Sequence, residues 1–216
     1  QAGLLDIAAI PERYQQQALN DSYFTELKSE YQYLAHKFGL QAMDANQWRF
    51  LRLRPQNFPH IRIAQLAHLY YEQRAGLSQL LECESVKQVR ELLATQVTHY
   101  WETHYVFGEK SAKSEKKLSA ASLNLQIINT VTPILFAYGK HKNSEKYCEC
   151  AFDFLETLKA EENHIVRMWK EVGLMVETAG DSQALIQLKK EYCDRKDCLR
   201  CRIGYEYLKG SSSIKG

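Results

Sequence analysis

Between residues 21 and 38, apolar side chains return every three or four positions, at Phe24, Leu27, Tyr31, Leu34 and Phe38. That spacing places all five on one face of a helix, and Gly39 is a fitting stop. The same period recurs along the chain. It predicts a short helix over residues 11–19, with Pro11 near its first turn, and a helix opening at Pro59 with Ile63, Leu66, Leu69 and Tyr70 on its face. Ser85 and Gln88 have capping-box spacing ahead of Val86, Val89, Leu92 and Leu93. A long helix is predicted over residues 119–138, kinked at Pro133 and stopped at Gly139. Ser144 caps the next, with Tyr147, Ala151, Phe154, Leu155 and Leu158 on its face. Another covers residues 162–172 and ends at Gly173, and Asp181 caps the last clear one, which carries Leu185, Leu188 and Tyr192.

Two stretches break the period. Residues 97–107 are dense in β-branched and aromatic side chains and repeat Thr-His-Tyr five positions apart, which reads as extended or irregular. Residues 108–119 form a loop rich in lysine and serine. With no strand ladder, the predicted fold class is all-α: a single multi-helix domain over residues 1–208, followed by a disordered tail at 209–216.

The sharpest interruption lies at residues 48–67. It holds two of the chain's four prolines, the arginines Arg49, Arg52, Arg54 and Arg62, and no acidic residue. It reads as a basic elbow between helices. If helical, Arg49 and Arg52 share a face and Arg54 lies well round from them; if extended, Arg52 and Arg54 share one. The arginines cannot all face one way, and Phe50, Leu51, Leu53 and Phe58 interleave with them. The expectation is that Pro55 and Pro59 fix a buried turn with Trp48 in the core, leaving a subset of the arginines free for a ligand.

A net charge of +2 excludes a polycation, so attraction to nucleic acid would have to come from local clustering. Beside the elbow, Lys189, Lys190, Arg195, Lys196, Arg200 and Arg202 outnumber Glu191, Asp194 and Asp197. On one surface the two clusters would make a phosphate-binding stripe, with Trp48, Phe58 and Tyr192 available for stacking. The alternative is that the arginine stems lie along the core, or that the heads pair with acids from elsewhere.

Cys193, Cys198 and Cys201 form a second constellation. Three thiolates at short spacing would fold around zinc or an iron–sulfur cluster, with a fourth ligand from Cys83, Cys148, Cys150 or a histidine. Otherwise they are reduced thiols packing as small apolar groups. The spacing differs from that of the cluster-bearing helical DNA glycosylases, and no helix-hairpin-helix glycine loop occurs. His99 and His104, five apart, cannot share a metal on a regular element, and His164 beside Glu161 and Glu162 reads as a solvated face. No nucleophile elbow, Walker loop or Rossmann glycine pattern is present, so no catalytic residue is assigned.

The apolar run at residues 123–138 is interrupted by Asn124, Gln126, Asn129, Thr130, Thr132 and Pro133, too polar and short to span a membrane. With no secretory signal, the expectation is a cytoplasmic protein with reduced thiols and no membrane partner. The chain opens on Gln1 and reads as a piece whose own N-terminal domain is a partner.

Phe-Leu-Arg-Leu-Arg-Pro-Gln-Asn-Phe-Pro-His at residues 50–60, continuing to residue 67, resembles a signature of an uncharacterised bacterial family. The blocks at residues 101–108, 128–139 and 181–193, the last continuing through Cys198, Cys201 and Gly204, fit the same pattern. The resemblance implies the C-terminal half of a longer intracellular protein of unknown function, and it supplies no catalytic residue. The leading expectation is a helical nucleic-acid-binding module of a larger protein. The alternatives are a packing domain without a nucleic-acid role and a metal- or iron–sulfur-dependent enzyme domain.

Overall fold

Asp21 starts a helix of 17 residues. Its Oδ1 accepts from the backbone N–H groups of Tyr23 at 2.8 Å and Phe24 at 3.3 Å, satisfying two donors that a helix start leaves without partners. This computed structural model describes residues 10–72 and 76–212. It is mostly helical, as the periodicity predicts, with a single small hairpin among the described residues. The chain divides into two compact units, one of Gln1–Gln79 with Glu91–Ser119, the other of Leu80–Arg90 with Ala120–Gly216.

In the first unit, α1 (Glu12–Leu19) precedes α2 (Ser22–Phe38), which ends at Gly39 with φ of 62°. Only the first part of the α2 stripe is covered. Phe24 is buried, Leu27 and Tyr31 are half-buried, and Leu34 and Phe38 are exposed. One isolated 3-10 turn, Ala45–Gln47, precedes the elbow, and another, Pro55–Asn57, lies within it. The turn at Pro55 is exposed rather than buried; Phe58 alone of it and its flanks is in the core, and Trp48 is half-buried.

Pro59 begins α3 (Pro59–Tyr71), as its fixed φ favours. The buried face of α3 is His60, Ile61, Ala64 and Gln65, not the expected Ile63, Leu66, Leu69 and Tyr70. Gln65 can be buried because it is satisfied: its Nε2 donates to the Lys116 carbonyl at 2.7 Å, and its Oε1 accepts from Arg62 at 3.0 Å.

Next in the chain come α4 (Leu77–Leu81), at the sequence border between the units, and α5 (Val86–Leu93), most of which belongs to the second unit and which is preceded by the expected capping box. Gln88 N–H donates to Ser85 Oγ at 3.3 Å, and Ser85 N–H donates to Gln88 Oε1 at 3.1 Å. The aromatic stretch takes both conformations: one helical turn, α6 (His99–Glu102), then β1 (His104–Val106) paired antiparallel with β2 (Glu109–Lys110). Ile10, Ala18, Phe24, Ile61, Ala64, Trp101 and Phe107 form the first unit's core.

In the second unit, α7 (Ala120–Gln126) passes through a π-helical segment, Ile127–Val131, into α8 (Thr132–Lys142). Pro133 lies in the first turn after that segment, so the wider turn accommodates the residue that cannot donate to the preceding turn. The helix does not stop at Gly139, which packs against α9 (Glu145–Thr157); a Cβ there would lie 2.7 Å from Cys148 Sγ and 2.9 Å from the Ser144 carbonyl. Asn143, with φ of 50°, ends it instead. By length and composition the run of 23 residues from Ala120 to Lys142 is long and apolar enough to cross a membrane, an 18-residue window within it having a mean hydropathy of 1.3, which the count over residues 123–138 missed. Its Leu123, Ile127, Ile128, Val131 and Leu135 are buried.

Beyond it, α10 (His164–Glu171) is capped by Asn163, and α11 (Ala179–Gln187) by Thr178 rather than Asp181. Asp181 is the reciprocal residue of a capping box. A second π segment, Leu188–Cys193, leads to α12 (Arg202–Ser212), which runs into the segment expected to be a disordered tail; residues 213–216 lie outside the described residues.

Candidate functional site

The elbow is organised by Phe50. Its ring lies 5.2 Å from those of Phe58 and His60, centroid to centroid, so the chain is pinned there to the first turn of α3. From that anchor the backbone makes a tight turn, closed by the Leu53 N–H donating to the Phe50 carbonyl at 3.2 Å. Arg52 occupies its third position with φ of 63°. A turn of this kind calls for positive φ, which glycine supplies freely and an L side chain adopts at a cost of about 1–2 kcal/mol. The turn presents Leu51, 84% exposed, beside Arg52.

Arg49, Arg52 and Arg54 are all exposed, and among the described residues none of their side chains has an acidic partner or a hydrogen bond. Arg62 is different. It is half-buried, donates to Asn57 Oδ1 at 2.6 Å and to Gln65 Oε1 at 3.0 Å, and its burial pushes its pKa down. It braces the start of α3. Spacing keeps Arg49, Arg52 and Arg54 from sharing one face, but all three are exposed alike, and it is Arg62 that is set apart by its two partners.

The C-terminal basic residues belong to the second unit. Three of the six are paired locally: Lys189 with Asp194, Arg195 with Glu191 at 2.7 Å, and Arg200 with Asp197 at 3.3 Å. Those pairs use all three acids of the stretch. Lys190, Lys196 and Arg202 are exposed without an acidic partner among the described residues.

The cysteines are not gathered. Cys193 and Cys198 are exposed and Cys201 is buried, and among the described residues no three His, Cys, Asp or Glu side chains come together closely enough to hold a metal ion. Between Cys193 and Cys198 the backbone turns at Lys196, whose φ is 55°. Cys198 packs on Gly204, where a Cβ would lie 2.7 Å from its carbonyl oxygen.

His60 is a residue that the sequence pattern did not single out. It is 2% exposed, neither ring nitrogen has a hydrogen-bond partner among the described residues, and burial lowers its pKa to about 3. The rings of Phe50, Phe107 and Trp101 surround it at 5.2, 4.8 and 5.8 Å. The available signal was its spacing four residues before Ala64, on the face of α3 that also buries Ile61.

A sequence match to the family described as "Protein of unknown function (DUF2851)" runs over residues 1–164, taking in the elbow, α3 and the hairpin. The chain belongs to that family. The DUF2851 match ends before the block at residues 181–193, and nothing in it marks the chain as a C-terminal half. No curated protein and no solved structure gives a significant match.

Proposed function

We propose that this DUF2851 chain is a nucleic-acid-binding module that engages phosphates through Arg49, Arg52 and Arg54. The observation that carries the reading is that these three guanidiniums are exposed and, among the described residues, unpaired on an elbow whose own sequence holds no acid, while the acids of the C-terminal stretch are all used by neighbouring cations. Guanidinium forks suit phosphate oxygens, and phosphate neutralisation supplies affinity without needing a pocket. Arg52 adds to this, since a long cation is kept where the backbone favours glycine.

The test is titration of a labelled single-stranded oligonucleotide at several salt concentrations. The expected result is salt-sensitive binding whose log–log slope shrinks by about two to three units when Arg49, Arg52 and Arg54 are all changed to Gln. No binding at low salt, or an unchanged slope in the variant, would reject the reading.

A second reading is favoured by the exposure of Leu51 at 84%, Phe38 at 62% and Met43 at 51% on the same elbow and its approach. Such a surface suits a protein partner that covers apolar and basic groups together. Its signature is association that survives high salt and is lost on Leu51→Asp.

A further inference from the structure

We propose that His60 is an acid-sensitive latch on the elbow: protonating its ring displaces Phe50 from its cage and frees the turn that carries Arg52. Through His60, the elbow's anchoring ring, Phe50, meets the unit's core rings Trp101 and Phe107. Both nitrogens of His60 are buried without partners, so the closed cage tolerates only the neutral ring. Its place in the first turn of α3 adds to this, because the positive end of the helix dipole opposes a second positive charge there.

Among the described residues, no counter-charge faces the ring. On α3, Arg62 is held by Asn57 and Gln65. On α6, Glu102 pairs with His99 and Lys113, and on β1 the His104 Nδ1 meets the Tyr100 carbonyl at 2.8 Å. The elbow's own charges, Arg49, Arg52 and Arg54, are exposed and positive. Once the elbow lifts, the ring meets water and regains an ordinary histidine affinity for protons. Acid therefore favours the open form. With the closed ring at about 3 and an open ring near 6.5, opening grows about tenfold from pH ~7.5 to ~5.5 and about thirtyfold by pH ~5.

The opening step stands on its own, while its consequence, weaker oligonucleotide binding in acid, rests on the function proposed above. Amide hydrogen exchange on the full chain separates them. The amides of Leu53 and Phe58, which close the elbow's turns at 3.2 and 3.0 Å, should lose about tenfold protection from pH ~7.5 to ~5.5. The loss should be insensitive to low urea, as local opening is. His60→Phe should abolish the pH dependence.

Equal loss in His60→Phe, or exchange of these amides only through urea-sensitive global unfolding, would overturn the latch. If His60→Phe does not fold, ring NMR of the unaltered chain decides: a neutral ring down to pH ~5 supports it, and titration near 6.5 in the folded chain overturns it. An acid-opened elbow without oligonucleotide binding would leave the latch standing and reject the function.

Discussion

The Tyr100 hydroxyl donates to the carboxylate of Asp21, 79 positions earlier in the chain. The same Asp21 Oδ2 accepts from the Gly108 N–H at 2.7 Å, while Oδ1 caps α2. Tyr100 is in turn sandwiched between Tyr23 and His104, each ring 4.0 Å away centroid to centroid. One carboxylate thus ties the start of α2 to α6 and to the turn of the hairpin. Burial, then the bond to Asp21, push the Tyr100 phenol above its usual range, so it stays a donor at any ordinary pH.

Asp21→Ala is expected to cost about 2–4 kcal/mol, combining a lost cap with a half-buried hydroxyl left without its acceptor. Tyr100→Phe alone should cost about 1–2 kcal/mol. Urea unfolding of both variants and the double mutant checks this: the double mutant should fall short of the sum by about 0.5–1.5 kcal/mol, whereas strict additivity would show that the pair does not act together.

Gly108 and Gly39 both hold positive φ, at 76° and 62°, but their surroundings differ. A Cβ at Gly108 would lie 2.2 Å from the Gln17 carbonyl oxygen, whereas one at Gly39 meets nothing within 4 Å. Gly39→Ala should therefore lower stability by only about 1 kcal/mol, the cost of the left-handed conformation. Gly108→Ala should cost at least about 3 kcal/mol or prevent folding, because backbone must move in α1. Melting temperatures and soluble yield compare the two.

Those contrasts show where sequence and structure agree. The start of α3 at Pro59, the stop of α2 at Gly39 and the Ser85–Gln88 box were legible because local chemistry fixes them. The face of α3 was not, because burial of Gln65 depends on the Lys116 carbonyl, 51 positions away. Nor was the role of Asp181, since Thr178 caps the same helix three residues earlier and pattern alone does not rank the two. The π segment before Pro133 was hidden for a similar reason: a proline in a helical pattern announces a disturbance, not which kind. At the elbow, the spacing of Arg49, Arg52 and Arg54 carried no sign that Arg62 is the braced one, because that rests on Asn57 and Gln65.

His60 also makes global stability depend on pH. Its folded pKa of about 3 lies below the 6.5 of an exposed ring, so between these values the unfolded chain holds the extra proton. Its contribution is complete above pH ~6.5 and falls on acidification at up to about 1.4 kcal/mol per pH unit until about pH 3. His60→Phe should flatten that part of the curve and raise stability at neutral pH by about 1–3 kcal/mol, since it removes two unpaired polar atoms from the core. Denaturant midpoints of both proteins between pH ~4 and ~7.5 test it.

For the cysteines, the scattered positions of Cys193, Cys198 and Cys201 lead to a specific expectation. A strong chelator should leave the melting temperature unchanged, and Cys193→Ser should be neutral, while Cys201→Ser costs about 1–2 kcal/mol by placing a hydroxyl in a buried site. A chelator-induced fall in melting temperature, together with equal sensitivity of all three positions, would mean that they gather around a metal.

The most direct measurement of the central claim is Arg52→Gly, read for stability and for oligonucleotide affinity in the same buffer. Glycine suits the φ of 63° that arginine adopts at this turn, so the melting temperature should stay level or rise. Affinity should fall, and the salt slope should shrink by about one unit for the lost phosphate contact. Stability kept with binding weakened is the result the account requires. Unchanged affinity and slope in Arg52→Gly would contradict it.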